Sequence, residues 1–202
     1  MATVWENPIY TLQSKTGKKV TVDVTASVSA GLPPNKVFAS TLINFFQERG
    51  VEKIVDFGAG ALRHTLPLLE AGFEVCAVEF EQQFKKPACK EKMLEAEEHP
   101  NFCKLIWPSD FKSDGRQFDA ALLCYVLQTM PIENERHLVL KMLKKKLADD
   151  SYVLYMSRWG QKNGLPKNRW SSNTLLMGIR HIDRQRRSPL GAQQIILSCS
   201  SK

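Results

Sequence analysis

The first chemically informative pattern in the chain is an acidic residue followed by a pair of glycines. Asp56 ends a short apolar run, Gly58 and Gly60 come next, and a leucine-rich helical pattern then continues to Gly72. This order predicts a buried strand, a glycine turn and a helix. Glycine lets backbone N–H groups approach a ligand closely, and the start of the helix adds further donors. The segment suits an anionic group such as a phosphate or a carboxylate, although a plain tight turn has the same glycines.

A second carboxylate ends the next predicted strand. Glu79 closes the apolar run 73–80, about 20 residues after the glycine pair, a spacing typical of nucleotide-binding folds. The right-handed crossover of a parallel sheet brings the carboxyl ends of these two strands side by side. A carboxylate at that place accepts two hydrogen bonds from a ribose diol. The two motifs predict a cofactor that contains a nucleoside, with NAD and S-adenosylmethionine both open.

Two residues separate these cofactors. The dinucleotide fingerprint places a third glycine where this chain has Arg63. The carboxylate of Asp56, just before the turn, would contribute little to the binding of a pyrophosphate but would contribute directly to the binding of an ammonium group. S-adenosylmethionine has an ammonium, a carboxylate and no phosphate, and is therefore favoured. Arg63 either binds that carboxylate or is a solvated helix residue.

The elements that position these residues alternate along the chain. Buried strands are predicted, in chain order, at residues 54–56, 73–80, 102–107, 118–124 and 151–156. Helical patterns separate them, which indicates βαβ units and an α/β, Rossmann-like, doubly wound and mostly parallel sheet. Pro67 lies inside the helical pattern after the glycines and predicts either a kink or a late helix start.

Length and composition define the class of protein. A chain of 202 residues accommodates one well-cored α/β domain. Alternating residues around a glycine turn predict a hairpin in an N-terminal arm, residues 1–36. The cofactor domain is predicted at 37–158 and a basic, polar tail at 159–202. The net charge of +7 comes from that tail, because nine lysines and arginines accompany one acid after residue 157.

The five cysteines are odd in number and form no C-x-x-C pair, so neither a disulfide framework nor a metal site is indicated. No run of 18 apolar residues and no basic-then-apolar N-terminal pattern is present. We therefore expect a cytoplasmic protein without membrane association.

Three motifs taken together resemble those of class I S-adenosylmethionine-dependent methyltransferases. They are Val-Asp-Phe-Gly-Ala-Gly at 55–60, Val-Glu at 78–79, and Phe-Asp-Ala-Ala-Leu-Leu-Cys-Tyr-Val-Leu-Gln-Thr-Met-Pro at 118–131. By that resemblance, Gly58 and Gly60 pass under the methionine part of the cofactor, and Asp56 lies near its amino group. Glu79 would hold the ribose hydroxyls.

The resemblance also implies roles at the ends of the third and fourth strands. Asp110 would lie near the adenine amino group and Phe111 would flank the ring. Cys124 and Tyr125 would line the sulfur end of the cofactor and the entrance for the substrate. Each of the first three has a plainer alternative: Asp110 as a turn residue, Phe111 as core, and Cys124 as strand filler.

The residues after the fourth strand constrain the methyl acceptor. Cys-Tyr-Val-Leu at 124–127 matches neither the Asn/Asp-Pro-Pro-aromatic motif of amino-directed DNA methyltransferases nor a Pro-Cys nucleophile. A small-molecule or protein acceptor is favoured, and RNA ribose methylation remains open. No residue stands out as a general base.

The resemblance also implies a further helix and an antiparallel strand pair after the fifth strand. Residues 159–202 are mostly polar, with short apolar runs only at 175–177 and 195–197. We therefore predict an incomplete C-terminal part and an exposed sheet edge. The tail is either a basic arm for RNA or an acidic partner, or a truncated end. The second functional hypothesis is accordingly a catalytically impaired binding module.

Overall fold

The computed structural model describes residues 7–14, 16–26, 36–158, 179–183 and 192–199. The strands are β1 (Ile9–Gln13), β2 (Lys19–Asp23), β3 (Lys53–Phe57), β4 (Glu74–Glu79), β5 (Phe102–Ile106), β6 (Phe118–Cys124), β7 (Leu147–Arg158), β8 (Ile179–Asp183) and β9 (Ala192–Cys199). The α-helices are α1 (Lys36–Glu48), α2 (Thr65–Glu70), α3 (Glu81–Phe84), α4 (Pro87–Glu97), α5 (Ser109–Ser113) and α6 (Glu133–Lys146), and a 3₁₀ turn covers Leu127–Thr129.

A seven-stranded sheet with the order β5-β4-β3-β6-β7-β9-β8 forms the centre of the fold. Strands β3 to β7 run parallel, and β9 runs antiparallel to both of its neighbours. The chain passes from β3 outward to β4 and β5, and then crosses to β6 on the other side of β3. Strand order therefore reverses at β3, which is where an open α/β sheet binds its ligands. The predicted parallel, doubly wound sheet is confirmed.

The central strands are apolar on both faces because helices cover both sides of the sheet. One layer packs α1, α2 and α4 against side chains such as Ile54 and Leu122. The other packs α5 and α6 against side chains such as Val55 and Leu123. Among the described residues, no helix is long and apolar enough to cross a membrane.

The N-terminal arm contains the predicted hairpin. β1 and β2 pair antiparallel from Ile9 with Asp23 to Gln13 with Lys19. The hairpin forms a separate two-stranded sheet. An isolated hairpin is marginally stable in water, so it depends on contacts with the rest of the fold.

Helix α2 starts late, as Pro67 allows. The helix begins at Thr65, and residues 60–64 form turns in which Leu62 adopts a φ of 58°. Pro67 then lies in the first helical turn, where its missing N–H costs no intrahelical bond. Of the two alternatives predicted from Pro67, a kink or a late helix start, the structure has the late start.

The prediction of an exposed sheet edge after the fifth strand, for want of an antiparallel strand pair, is wrong. β9 pairs with β7 from Tyr152–Ser198 to Arg158–Ala192, and β8 pairs with β9, so β7 is not an exposed edge. Polar composition misled the prediction because backbone N–H and C=O groups pair whatever side chains they carry. The remainder of the predicted basic tail lies outside the described residues.

Candidate functional site

A cavity of about 970 Å³, including its part open to solvent, lies where β3, β4 and β6 end. The loop after β3, the end of β4, the start of α3, the segment after β6 and the N-terminal hairpin all contribute to its walls. Because the cavity lies at the reversal of strand order, it is the expected ligand site of this architecture.

The glycine loop forms the floor of this cavity. The N–H groups of Gly58 and Ala59 donate to the carbonyl of Val78, at 2.9 and 3.3 Å, which holds the loop against the end of β4. Gly58 has a φ of +74°, and a Cβ there would lie 2.3 Å from Cγ2 of Val126. Gly60 has a φ of +61°. Both positions require glycine, one through close packing and both through backbone conformation.

Glu79 is the carboxylate at the centre of the site. Its Oε1 accepts from the N–H of Gly60 at 3.0 Å, and its Oε2 accepts from the N–H of Phe80 at 2.9 Å. Burial raises the pKa of Glu79 to about 7, and the two backbone donors and Lys86 counteract part of that shift. The side chain is therefore held rigidly against the glycine loop, with further lone pairs available to a ligand.

Asp56 lies beneath the loop and does not line the cavity. It is 1% exposed, and Thr65 Oγ1 donates to its Oδ2 at 2.8 Å. Burial raises the pKa of Asp56 to about 6, while the Thr65 hydroxyl lowers it. In this position Asp56 ties the end of β3 to the start of α2. Its predicted contact with a cofactor amino group stays a prediction.

Asp110 and Phe111 also lie outside the cavity lining. Asp110 Oδ2 accepts from the N–H of Ile106 at 3.0 Å, which closes the turn after β5. Phe111 is fully buried and packs its ring against Phe57 and Trp107, with centroids 5.5 and 5.7 Å apart. The aromatic ring that lines the cavity on this side is Trp107. The adenine contacts assigned by resemblance to Asp110 and Phe111 stay predictions.

The end of β6 places Cys124 and Tyr125 in the cavity wall. The thiol of Cys124 contacts Sδ of Met156 at 3.6 Å, and burial raises the pKa of Cys124 well above its usual range. Tyr125 has a φ of 63°, and its N–H donates to the carbonyl of Met156 at 2.9 Å. A non-glycine residue in this conformation is strained, and such strain clusters at ligand sites.

The N-terminal hairpin supplies lining residues that sequence reasoning missed. Tyr10, Val24 and Thr25 face the cavity. The hydroxyl of Tyr10 donates to Glu135 Oε2 at 2.7 Å, which anchors β1 to α6. Lys86 Nζ donates to the carbonyl and the hydroxyl of Thr25, at 2.6 and 2.8 Å. No local signal could reveal these contacts, because they join segments distant in sequence.

Three polar side chains beside the glycine loop complete the lining. Arg63 Nε and Gln83 Oε1 are buried and have no hydrogen-bond partner within the part of the chain that the structure describes. Gln83 is only 2% exposed. Burial, with Arg63 nearby, lowers the pKa of His64 to about 4, so its imidazole is neutral at pH 7. Since Arg63 and Gln83 both line the cavity, a polar ligand there is the natural partner for this unpaired donor and acceptor.

Comparison with solved structures identifies the fold of this chain. No protein-family model matches the sequence, and no curated protein matches it. Solved structures do match. The N-methyltransferase NodS from Bradyrhizobium japonicum, with S-adenosyl-L-homocysteine, superposes with a TM-score of 0.63 and 15% identity over 88% of this chain and 95% of that chain.

Two further solved structures match this chain to a similar degree. The 1,6-didemethyltoxoflavin N1-methyltransferase from Burkholderia thailandensis, with its substrate and S-adenosylhomocysteine, gives a TM-score of 0.61 and 18% identity over 89% and 82% of the two chains. A Nostoc punctiforme protein described as an O-methyltransferase gives a TM-score of 0.59 and 14% identity, over 80% of this chain and 56% of that longer chain. The chain thus shares the fold of these methyltransferases, as the resemblance of its motifs implied.

Proposed function

We propose that this protein is an S-adenosylmethionine-dependent methyltransferase that acts on a small-molecule acceptor by in-line methyl transfer. The observation that carries the proposal is Glu79, bonded to the N–H of Gly60 at 3.0 Å, at the point where strand order reverses. The matched NodS structure with the same fold contains S-adenosyl-L-homocysteine.

The lining residues fit the proposed cofactor. Glu79 would accept from the ribose hydroxyls, since each of its oxygens has a free lone pair beyond the backbone bond it already receives. The unpaired Nε of Arg63 suits a carboxylate, and the unpaired Oε1 of Gln83 suits a hydroxyl or an amine. When bound, S-adenosylmethionine would supply an electrophilic methyl group on a positively charged sulfur. The absence of a third glycine at Arg63 favours this cofactor over a dinucleotide.

The lining also constrains the acceptor. Among the described lining residues, Glu79 is the only carboxylate and already binds two backbone donors, and burial raises the pKa of the Cys124 thiol. The neutral His64 is a weak base because its pKa is about 4. An acceptor whose nucleophilic atom already carries an available lone pair needs no strong base. Such an acceptor, held in line by Tyr10, Thr25 and Tyr125, would gain its rate from positioning.

A small acceptor is favoured over a protein because the hairpin closes one side of the cavity. The toxoflavin methyltransferase with the same fold is named for a small substrate. The described residues offer no observation that favours the alternative of an RNA-binding module, since 179–183 and 192–199 belong to the sheet.

Calorimetry with S-adenosylhomocysteine tests the cofactor site. We expect Glu79→Ala to weaken binding roughly 10-fold to 100-fold, because charge-assisted hydrogen bonds contribute about 1.5–3 kcal/mol. Glu81→Ala is the matched control, because Glu81 is an exposed carboxylate two residues away that pairs with Lys85. No binding by the unmodified protein would refute the proposal. Equal binding by Glu79→Ala would refute the assignment of Glu79.

A transfer assay tests the acceptor class. Labelled cofactor is incubated with the protein and with fractionated metabolites, proteins or RNA. We expect label in the metabolite fraction, and transfer only to protein or RNA would contradict the proposed acceptor.

A further inference from the structure

Two thiols stand side by side on adjacent strands, away from the cavity. Cys76 in β4 and Cys103 in the edge strand β5 are register partners, so their side chains point to the same face of the sheet. Both are free thiols. Neighbouring strands lie about 4.8 Å apart, within the roughly 4.4–6.8 Å between Cα atoms that a disulfide spans.

The guanidinium of Arg116 lies beside this pair of cysteines. Arg116 Nη1 donates to Cys76 Sγ at 3.2 Å, and the charge of Arg116 also acts on Cys103. Asp114 fixes Arg116 in place, with Arg116 Nη2 at 2.6 Å and Nε at 2.8 Å from Asp114 Oδ2. A positive charge beside two sulfurs stabilises a thiolate.

The two thiols differ in access and in acidity. Cys103 is partly exposed, whereas Cys76 is fully buried. The neighbouring Cys76 thiol, together with Arg116, lowers the pKa of Cys103 below its usual range. The interaction with Cys103 and burial raise the pKa of Cys76 far above its usual range. Cys103 thus has the properties of the attacking thiolate, and Cys76 those of the thiol that resolves it.

We propose that Cys76 and Cys103 form a redox-active pair that a hydroperoxide oxidises to a disulfide linking β4 to β5. The Cys103 thiolate attacks one oxygen of hydrogen peroxide, the O–O bond breaks, and a sulfenic acid forms on Cys103. The departing hydroxide takes up the proton that Cys103 lost and becomes the first water. The Cys76 sulfur then attacks that sulfur, and the hydroxyl leaves with the Cys76 proton as water. The two sulfurs lose two electrons, and hydrogen peroxide is reduced to two waters.

This site is independent of the methyltransferase proposal, because neither cysteine lines the cavity. Its test therefore stands whether or not the protein transfers methyl groups.

Peptide mapping of the full chain after hydrogen peroxide treatment tests the proposal directly. We expect one linked peptide pair that contains Cys76 and Cys103 and separates on reduction. Cys89, which is fully buried and whose pKa burial raises to about 11, is the internal control and should stay reduced. Absence of the link, or a link from Cys103 to another cysteine, would overturn the pairing.

Alkylation rates and two variants test the mechanism. A lower pKa gives Cys103 a larger thiolate fraction, although each thiolate is then a weaker nucleophile. On balance, Cys103 should react with iodoacetamide roughly 5-fold to 10-fold faster than a thiol with an ordinary pKa. Arg116→Met should remove part of that advantage, whereas Arg49→Met, at a surface arginine away from both sulfurs, should preserve it. Cys76→Ala should leave a sulfenic acid on Cys103 that dimedone traps. Unchanged reactivity of Cys103 in Arg116→Met would overturn the role of the guanidinium. If Cys76→Ala fails to fold, the peptide map of the unmodified protein alone decides whether Cys76 and Cys103 form a disulfide.

Discussion

At the scale of single residues, the site depends on carboxylates that burial makes costly to ionise. The pKa of Glu79 is raised to about 7 and that of Asp56 to about 6, in each case chiefly by desolvation. Backbone N–H groups stabilise ionised Glu79, and a hydroxyl stabilises Asp56. A ligand that donates hydrogen bonds or brings positive charge would recover this cost, so the free site is adapted to such a ligand.

The first prediction concerns the pH dependence of cofactor binding. Because Glu79 binds ribose hydroxyls as a carboxylate, affinity for S-adenosylhomocysteine should rise up to about tenfold per pH unit as pH approaches 7, and then level off. Calorimetry from about pH 5.5 to about pH 8.5 measures this profile. Glu79→Gln should bind S-adenosylhomocysteine weakly at every pH. Its affinity should not change with pH, apart from a contribution of Asp56 near pH 6.

The stability of the free protein should follow the opposite course. Between the ordinary pKa of 4.5 and the folded value of about 7, the native state binds more protons at Glu79 than the unfolded state. The contribution of Glu79 to stability therefore falls as pH rises through this window. Urea unfolding of the protein and of Glu79→Gln should diverge with pH in this direction, and parallel curves would contradict the assigned pKa.

At the scale of elements, the hairpin β1–β2 is a wall of the cavity that is anchored by two contacts near its open end, away from the turn. Tyr10 bonds to Glu135 of α6, and Thr25 receives Lys86 just before α4. Tyr10 is 3% exposed and Glu135 is 7% exposed, so their hydrogen bond is shielded from water. One buried contact and one partly buried contact thus hold the hairpin against the site.

The second prediction concerns this anchor. Tyr10→Phe removes the donor to a buried carboxylate, so we expect the hairpin to open more easily by about 1–3 kcal/mol. Amide hydrogen exchange should be faster throughout β1 and β2 and nearly unchanged in β3 to β6. Thr11→Ala, on the exposed side of the same strand, should leave exchange unchanged. Equal protection in Tyr10→Phe would show that the hydrogen bond does not hold the hairpin.

At the scale of the whole molecule, the C-terminal strands complete the sheet. β9 covers β7 through seven register pairs, from Tyr152 to Arg158. Without β9, β7 would present its unpaired backbone groups as an edge.

The third prediction concerns this pairing. A chain ending at residue 158 should lose at least about 5 kcal/mol, comparable with the whole stability of a small domain, and should aggregate. Removal of residues 200–202 alone, which follow β9, is the control and should leave the melting temperature unchanged. A chain ending at 158 that melts within a few degrees of the full chain would contradict this role of β9.

The sequence by itself determined the alternation of strands and helices, the order of the motifs, and the positions of Gly58, Gly60 and Glu79. These features follow from local rules: apolar runs predict buried strands, and parallel strands place their carboxyl ends at one edge of the sheet. Pro67 similarly restricted where α2 begins.

Only the tertiary structure decided which of these residues reach the cavity. Asp110 and Phe111 follow β5 as predicted, yet one closes a turn and the other enters the core, while Trp107 lines the cavity. Tyr10 enters the wall through a bond to Glu135, 125 residues away. The pairing of β9 with β7 is equally non-local. Such contacts depend on packing between distant segments, which local composition and periodicity do not encode.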